Sequence, residues 1–315
     1  MIEKYNKHSL RELFIASLCA LFIYLTSVYF IPFAFFIFPT PYIVLGIKRG
    51  MQHTILSILF TSVVIYLFEG FSGALLMAGI GVLVAIPMIF CIRKSYTAFT
   101  TITVATGIGV VFVFLLSALV SQMNGIDIVK SLEAAVTRSI NEQLVIMNDM
   151  NIIKMDEVDG AMNSSIAIMM AIIPSLLFIM TMLISMLNYY LSTSMLRRIG
   201  FGIIDVPKFR NFKLPSDIVV GVFITMVGTF ILSKTGFQYS TELSLNLTLA
   251  FSFLFLLQGV AVTIKFLRNK INPVLLNVII IVTLILNVRI AYVIIGAIYS
   301  AFKSSLIIRR DGSDK

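Results

Sequence analysis

The chain has 315 residues, of which 59% are hydrophobic, with a mean hydropathy of +1.01 and a formal net charge of +9. Uncharged stretches at 13–47, 70–92, 95–126, 161–196 and 218–233 are too long and too many for a soluble core, since a helical membrane span needs about 20 apolar residues. Most Lys and Arg stand in the short turns between these stretches, so the positive-inside rule explains the basic excess and excludes nucleic acid as the partner. The expected fold is an all-α, polytopic transmembrane helical bundle of 8–10 spans, with the lipid bilayer as its first partner.

In chain order, Lys4, Lys7 and Arg11 precede the first apolar run and predict a cytoplasmic N-terminus. The run after them is too long for a signal-peptide core and is not followed by a small-residue cleavage site, so the first helix is expected to stay as an anchor. Residues 13–47 would measure roughly 52 Å as one helix, so a reversal is expected at Pro32, giving spans near 12–30 and 32–47. Pro39 and Pro41 kink the second, and Lys48-Arg49 end it inside. Spans three (52–68) and four (72–92) flank an outer turn at Glu69-Gly70, and span five covers 98–121.

Residues 122–163 carry seven acidic and three basic side chains and are expected outside. Within them Val129, Leu132, Val136, Ile140, Leu144 and Met147 recur at helical spacing and predict an amphipathic helix. Span six (165–191) contains Pro174. The turn at 193–215 holds Arg197, Arg198, Lys208, Arg210 and Lys213 against Asp205. Phe209 and Phe212 interleave with its cations, which predicts a loop lying flat on the lipid headgroups. Spans seven (217–234) and eight (244–264) form a hairpin closed inside by Lys265, Arg268 and Lys270. The last run, 274–300, fits a broken hairpin with Arg289 at its outer end, which would return the tail of Lys303, Arg309 and Arg310 to the cytoplasm. This organises the chain as a six-span bundle (1–192) with an external insert near 122–163, a cytoplasmic basic loop (193–215) and C-terminal hairpins with a basic tail (216–315).

Catalytic motifs are absent: there is no GxxxxGK[ST], HExxH or GxSxG, and no Cys/His cluster at metal-ligand spacing. The chain is therefore expected not to be an enzyme, and neither a catalytic residue, a metal site nor a cofactor is predicted. Cys19 and Cys91 read as small buried hydrophobes. Trp is absent, so the interfacial belt falls to Tyr24, Tyr29, Tyr42, Tyr66, Tyr96, Tyr189 and Tyr190. The polar groups at membrane depth are Asn188, Asn246, Gln258, Asn277, Asn287 and Arg289. Each is either a helix–helix hydrogen-bonding group or part of a polar cavity. Ala16 and Ala20 form a small-xxx-small pair suited to close helix approach.

The segment LNYYLSTSMLRRIGFGIIDVPKFRNFKLPS (187–216) resembles the YybS-like family of bacterial integral membrane proteins of unknown function. That family pattern has a basic turn followed by an aromatic-basic entry to the next span. LNLTLAFSFLFLLQGVAVTIKFLRNK (245–270) is similar to the family's "QG" helix, and IIGAIYSAFKSSLIIRR (294–310) to its C-terminus, although Tyr299-Ser300 stands near the family's acidic position. The first six spans resemble, more distantly, the S components of energy-coupling-factor transporters. Ala16–Ala20 matches in position their AxxxA docking pair, and PTPYIVLGIKRGMQHTILSIL (39–59) their Pro-rich second helix. The resemblance implies a small-solute-binding protein that relies on a coupling subunit and an ATPase as partners, with Ala16 and Ala20 as the docking face. The alternative is a non-transporting membrane scaffold or regulator acting through its basic loop.

Overall fold

The computed structural model describes residues 2–124, 128–150, 159–201, 208–215, 217–286 and 288–313. Its α-helices are α1 (Ile2–Tyr29), α2 (Thr40–Arg49), α3 (Met51–Arg93), α4 (Ala98–Asn124), α5 (Ile128–Asp149), α6 (Asp159–Ala171), α7 (Ile173–Arg198), α8 (Ile218–Lys234), α9 (Ser240–Leu267), α10 (Pro273–Ile285) and α11 (Arg289–Ser313). Among the described residues there is no strand. Five helices are long and apolar enough to cross a membrane, six if α10 and α11 count as one bent span. α3, at 43 residues, is about 64 Å long, twice a hydrocarbon core. It breaks at Gly70, whose φ of 72° and ψ of −168° are non-helical, and Gly81 beyond the break lies against Ile58 before it, so the chain turns where Glu69-Gly70 predicts it.

The chain divides into two compact units. The first comprises Met1–Glu157 with Met180–Val206. Its helices are inside-out relative to a soluble protein. α1 buries Ser9, Leu13, Ala16, Ser17, Ala20 and Tyr24, and turns Phe14, Leu18, Phe22 and Leu25 outward. Apolar bulk gains nothing from burial when the solvent is lipid, whereas small and hydroxyl side chains let backbones close up and pair. Ser17 and Ser57 share a hydroxyl hydrogen bond of 2.7 Å between α1 and α3, and Ser9 bonds His53 one helical stretch earlier. Gly46 on α2 lies so near Ile89 of α3 that a Cβ would stand 2.2 Å from its Cδ1. Arg93 at the end of α3 donates to the Gly46 carbonyl at 2.8 Å. Tyr24, Tyr42 and Tyr189, expected in an aromatic belt, are buried in this unit, while Tyr29, Tyr66 and Tyr96 are exposed.

The predicted second span is not one helix. A 3₁₀ segment at Pro32–Ile37 precedes the ten-residue α2, because Pro39 and Pro41 cannot donate the backbone bonds that would join them. α5 forms where the periodicity places an amphipathic helix, with Val136, Ile140 and Leu144 half-covered.

The second unit comprises Val158–Ile179 with Pro207–Lys315. At its centre α9 and α11 touch backbone to backbone. A Cβ on Gly259 would meet the Tyr292 carbonyl oxygen at 1.8 Å, and one on Gly296 the Phe255 carbonyl oxygen at 2.0 Å. Residue 292 therefore faces 259 while 296 faces 255, so the two helices run antiparallel. α10 meets α11 at 111°, and a hydrogen bond of 2.7 Å between the Thr283 and Tyr292 hydroxyls ties the bend. This corrects the expected hairpin. By that register Arg289 begins α11 roughly one turn from the Gly259 level, at the Lys265 end of α9 and not the opposite one. The reason is length: the 13 residues of α10 reach only about 20 Å, and the sharp bend leaves α11 as the single returning helix.

Candidate functional site

Three carboxamides, Asn188 and Gln258 buried and Asn246 half-buried, share one task. Asn188, fully buried on α7, donates its Nδ2 to the Phe36 carbonyl at 2.6 Å and accepts the Thr40 hydroxyl at Oδ1 at 2.7 Å. Phe36 lies three residues before Pro39, which has no N–H to offer it. Asn246 on α9 donates to the Ala171 carbonyl at 2.6 Å and accepts the Ser175 N–H at 2.8 Å, bridging the α6–α7 break beside Pro174. Gln258, also on α9, accepts the Leu214 N–H at 2.7 Å, just before Pro215. Each amide closes a backbone defect opened beside a proline, which a bilayer would otherwise leave unsatisfied. Of the two readings open for these residues, the geometry supports hydrogen bonding within the protein.

The remaining sequence-selected residues are dispersed. Asn277 is exposed, Arg289 is exposed at the start of α11, and Asn287 lies outside the described residues. Arg197 and Arg198 end α7, where cations suit the helix dipole. Lys208 and Lys213 are exposed and Arg210 is half-buried. Phe209 and Phe212 stack at 6.0 Å, 19° apart. Phe209 packs against the cluster of Val260, Leu276, Ile280 and Tyr292. Phe209, half-buried, thus has partners within the protein's own helices, and the buried Leu214 pins the other end of the segment.

Ala16 and Ala20 do not present one open face. Ala20 is 0% exposed, enclosed by its own unit, whereas Ala16 borders a cavity of about 760 Å³ between α1, α2 and α7. The groove has three walls. Ile15, Leu18, Cys19, Phe22 and Ile23 of α1 line one side, Pro41, Val44 and Leu45 of α2 another, and Leu191 and Met195 of α7 the third. Ala16 leaves the space that a larger residue would fill. Cys19, read from sequence as buried, is exposed here, while Cys91 is buried.

Charge is confined to one end. Lys48 Nζ donates to Glu12 Oε1 at 3.1 Å, and Arg49 grips the same carboxylate in a fork at 2.7 and 3.0 Å. At the other end Thr40 is buried and its hydroxyl is committed to Asn188. Sequence reading missed this site. Lys48 and Arg49 look like a topology signal alone, and the pointer available was Glu12, a single acid set against a basic flank. Among the described residues no group of His, Cys, Asp or Glu could hold a metal ion.

A family model described as "Predicted membrane protein (DUF2232)" matches residues 14–298. The chain is 24% identical over 241 residues to the uncharacterized protein YybS of Bacillus subtilis (strain 168), covering 76% of each chain. No solved structure matches.

Proposed function

The chain belongs to the DUF2232 family of predicted membrane proteins, and from that premise we propose that it binds a small amphipathic solute sideways from the membrane, as an S-component-like protein energised by partner subunits. The observation that carries this reading is the α1–α2–α7 groove, apolar along its walls and charged at one end. An amphipathic molecule has the same division. The chain has no nucleotide-binding motif, so an energised step falls to a coupling subunit and an ATPase. The basic residues at the ends of α1, α2 and α7 support a cytoplasmic position for the charged end of the groove by the positive-inside rule. The scaffold alternative is weakened by the packing of Phe209 and Leu214 into their own unit, which leaves less of the basic segment available for docking.

The test is extraction. The protein is purified in mild detergent, and its bound small molecules are identified by mass spectrometry beside those of the Ala16→Phe variant, whose new ring fills the groove. A species bound by the parent and lost from a variant of unchanged melting temperature supports the reading. Identical extracts from both proteins overturn it.

A further inference from the structure

Resting on the groove as the binding site, we propose that its occupant is one chain of an anionic membrane lipid, with the headgroup phosphate at Lys48. The first argument is depth. From Glu12 to Ile23 the groove follows eleven residues of α1, about 16 Å, which is half of a roughly 30 Å hydrocarbon core. That is the reach of an acyl chain in one leaflet, starting from the headgroup level. The second argument is what the walls offer. Between the charged end and Thr40 the lining is apolar, and the Thr40 hydroxyl already donates to Asn188. A polar solute would find no partner along that length, whereas a hydrocarbon chain needs none.

The third argument is charge. Glu12 contributes one negative charge against the positive charges of Lys48 and Arg49, and Arg11, beside Glu12, is exposed. A lysine ammonium carries three donors, and the Glu12 contact uses one. The mouth therefore favours an anion over a zwitterion. A single lysine near an anionic surface supports a preference of about fivefold.

The chain contains no Trp, so a single substitution provides a fluorescent reporter. Cys19→Trp places it in the groove, and Phe223→Trp places it on the exposed surface of α8, where the native ring is 68% exposed. Each variant is reconstituted in phosphatidylcholine vesicles containing dibrominated phosphatidylcholine or dibrominated phosphatidylglycerol, and quenching is compared. The expected result is severalfold stronger quenching by the anionic lipid at the groove, equal quenching at the α8 position, and loss of the preference when Lys48→Gln is added to Cys19→Trp. Equal quenching by the two lipids at the groove overturns the anionic assignment and leaves the solute-binding reading standing. A preference that survives Lys48→Gln overturns Lys48 as the headgroup contact. Absence of quenching at the groove, with normal quenching at α8, shows the groove closed to lipid and overturns the proposal in favour of a protein segment or a held solute. Should Cys19→Trp fail to fold, Leu18→Trp, at a position 60% exposed on the same rim, gives the same readout.

Discussion

At the scale of single residues, the intramembrane amides separate into those that complete the fold and those that do not. Replacing Asn188 with Leu leaves the Phe36 carbonyl and the Thr40 hydroxyl without their partner, at a cost of roughly 1–3 kcal/mol. Asn277→Leu, at an exposed position, is expected to cost nothing. Thermal melting of the two variants in detergent checks this: a drop of several degrees for Asn188→Leu and none for Asn277→Leu is expected, and equal melting contradicts the assignment. The prolines that create these defects are visible in the sequence. Their amide partners are not, because Asn188 meets Thr40 across 148 residues and Gln258 meets Leu214 across 44. Glu12 was equally hidden, since only folding brings it to Lys48.

At the scale of elements, the apolar runs and their Pro or Gly punctuation locate most helices, and the periodicity of α5 locates that helix as well. What the pattern leaves open is which face turns inward. In lipid the outward face of α1 is as apolar as the inward one or more so, and the informative residues are Ser9, Ala16, Ser17 and Ala20. The same holds for α9, where Gly259 and not a large hydrophobe decides the packing. Its hydrogen is all that fits against the Tyr292 carbonyl. Gly259→Val is expected to abolish the monodisperse peak in size-exclusion chromatography, whereas Gly107→Val, where a Cβ meets nothing within 4 Å, should elute as the parent does. Coincident profiles would contradict the close crossing.

At the scale of the whole molecule, the testable quantity is sidedness. Basic turns predict that Lys48, Arg93, Arg197 and Lys265 are cytoplasmic and residues 122–163 external. In a chain with Cys19 and Cys91 replaced, an impermeant thiol reagent should label a cysteine at Ser131 in intact cells and not one at Ser194. The antiparallel register of α9 and α11 adds a second expectation: a cysteine at Asn269 and a tag after Lys315 should lie on opposite sides. Finding both on one side would restore the hairpin that the last apolar run suggests. That segment was the least legible part of the fold, because 27 residues between Val274 and Ser300 suit one long helix or two short ones equally well by length.

The bend between α10 and α11 reaches beyond the protein. Apart from Asn277 and Thr283, α10 is apolar, with Val274, Ile281 and Ile285 exposed and Leu276 and Ile280 packed inward, a composition that suits acyl chains better than headgroups. At 111° to α11, it advances along that helix by only about a third of its ~20 Å length. In a bilayer with α11 upright, that geometry would put the bulk of α10 into the monolayer at the Lys265 end of α9. Such a one-sided insertion expands that monolayer's area and lowers the energy of membrane bent toward it. The protein is expected to insert more readily into small vesicles than into large flat ones of the same lipid, and equal partitioning across vesicle diameters in a flotation assay would show that α10 imposes no such area difference.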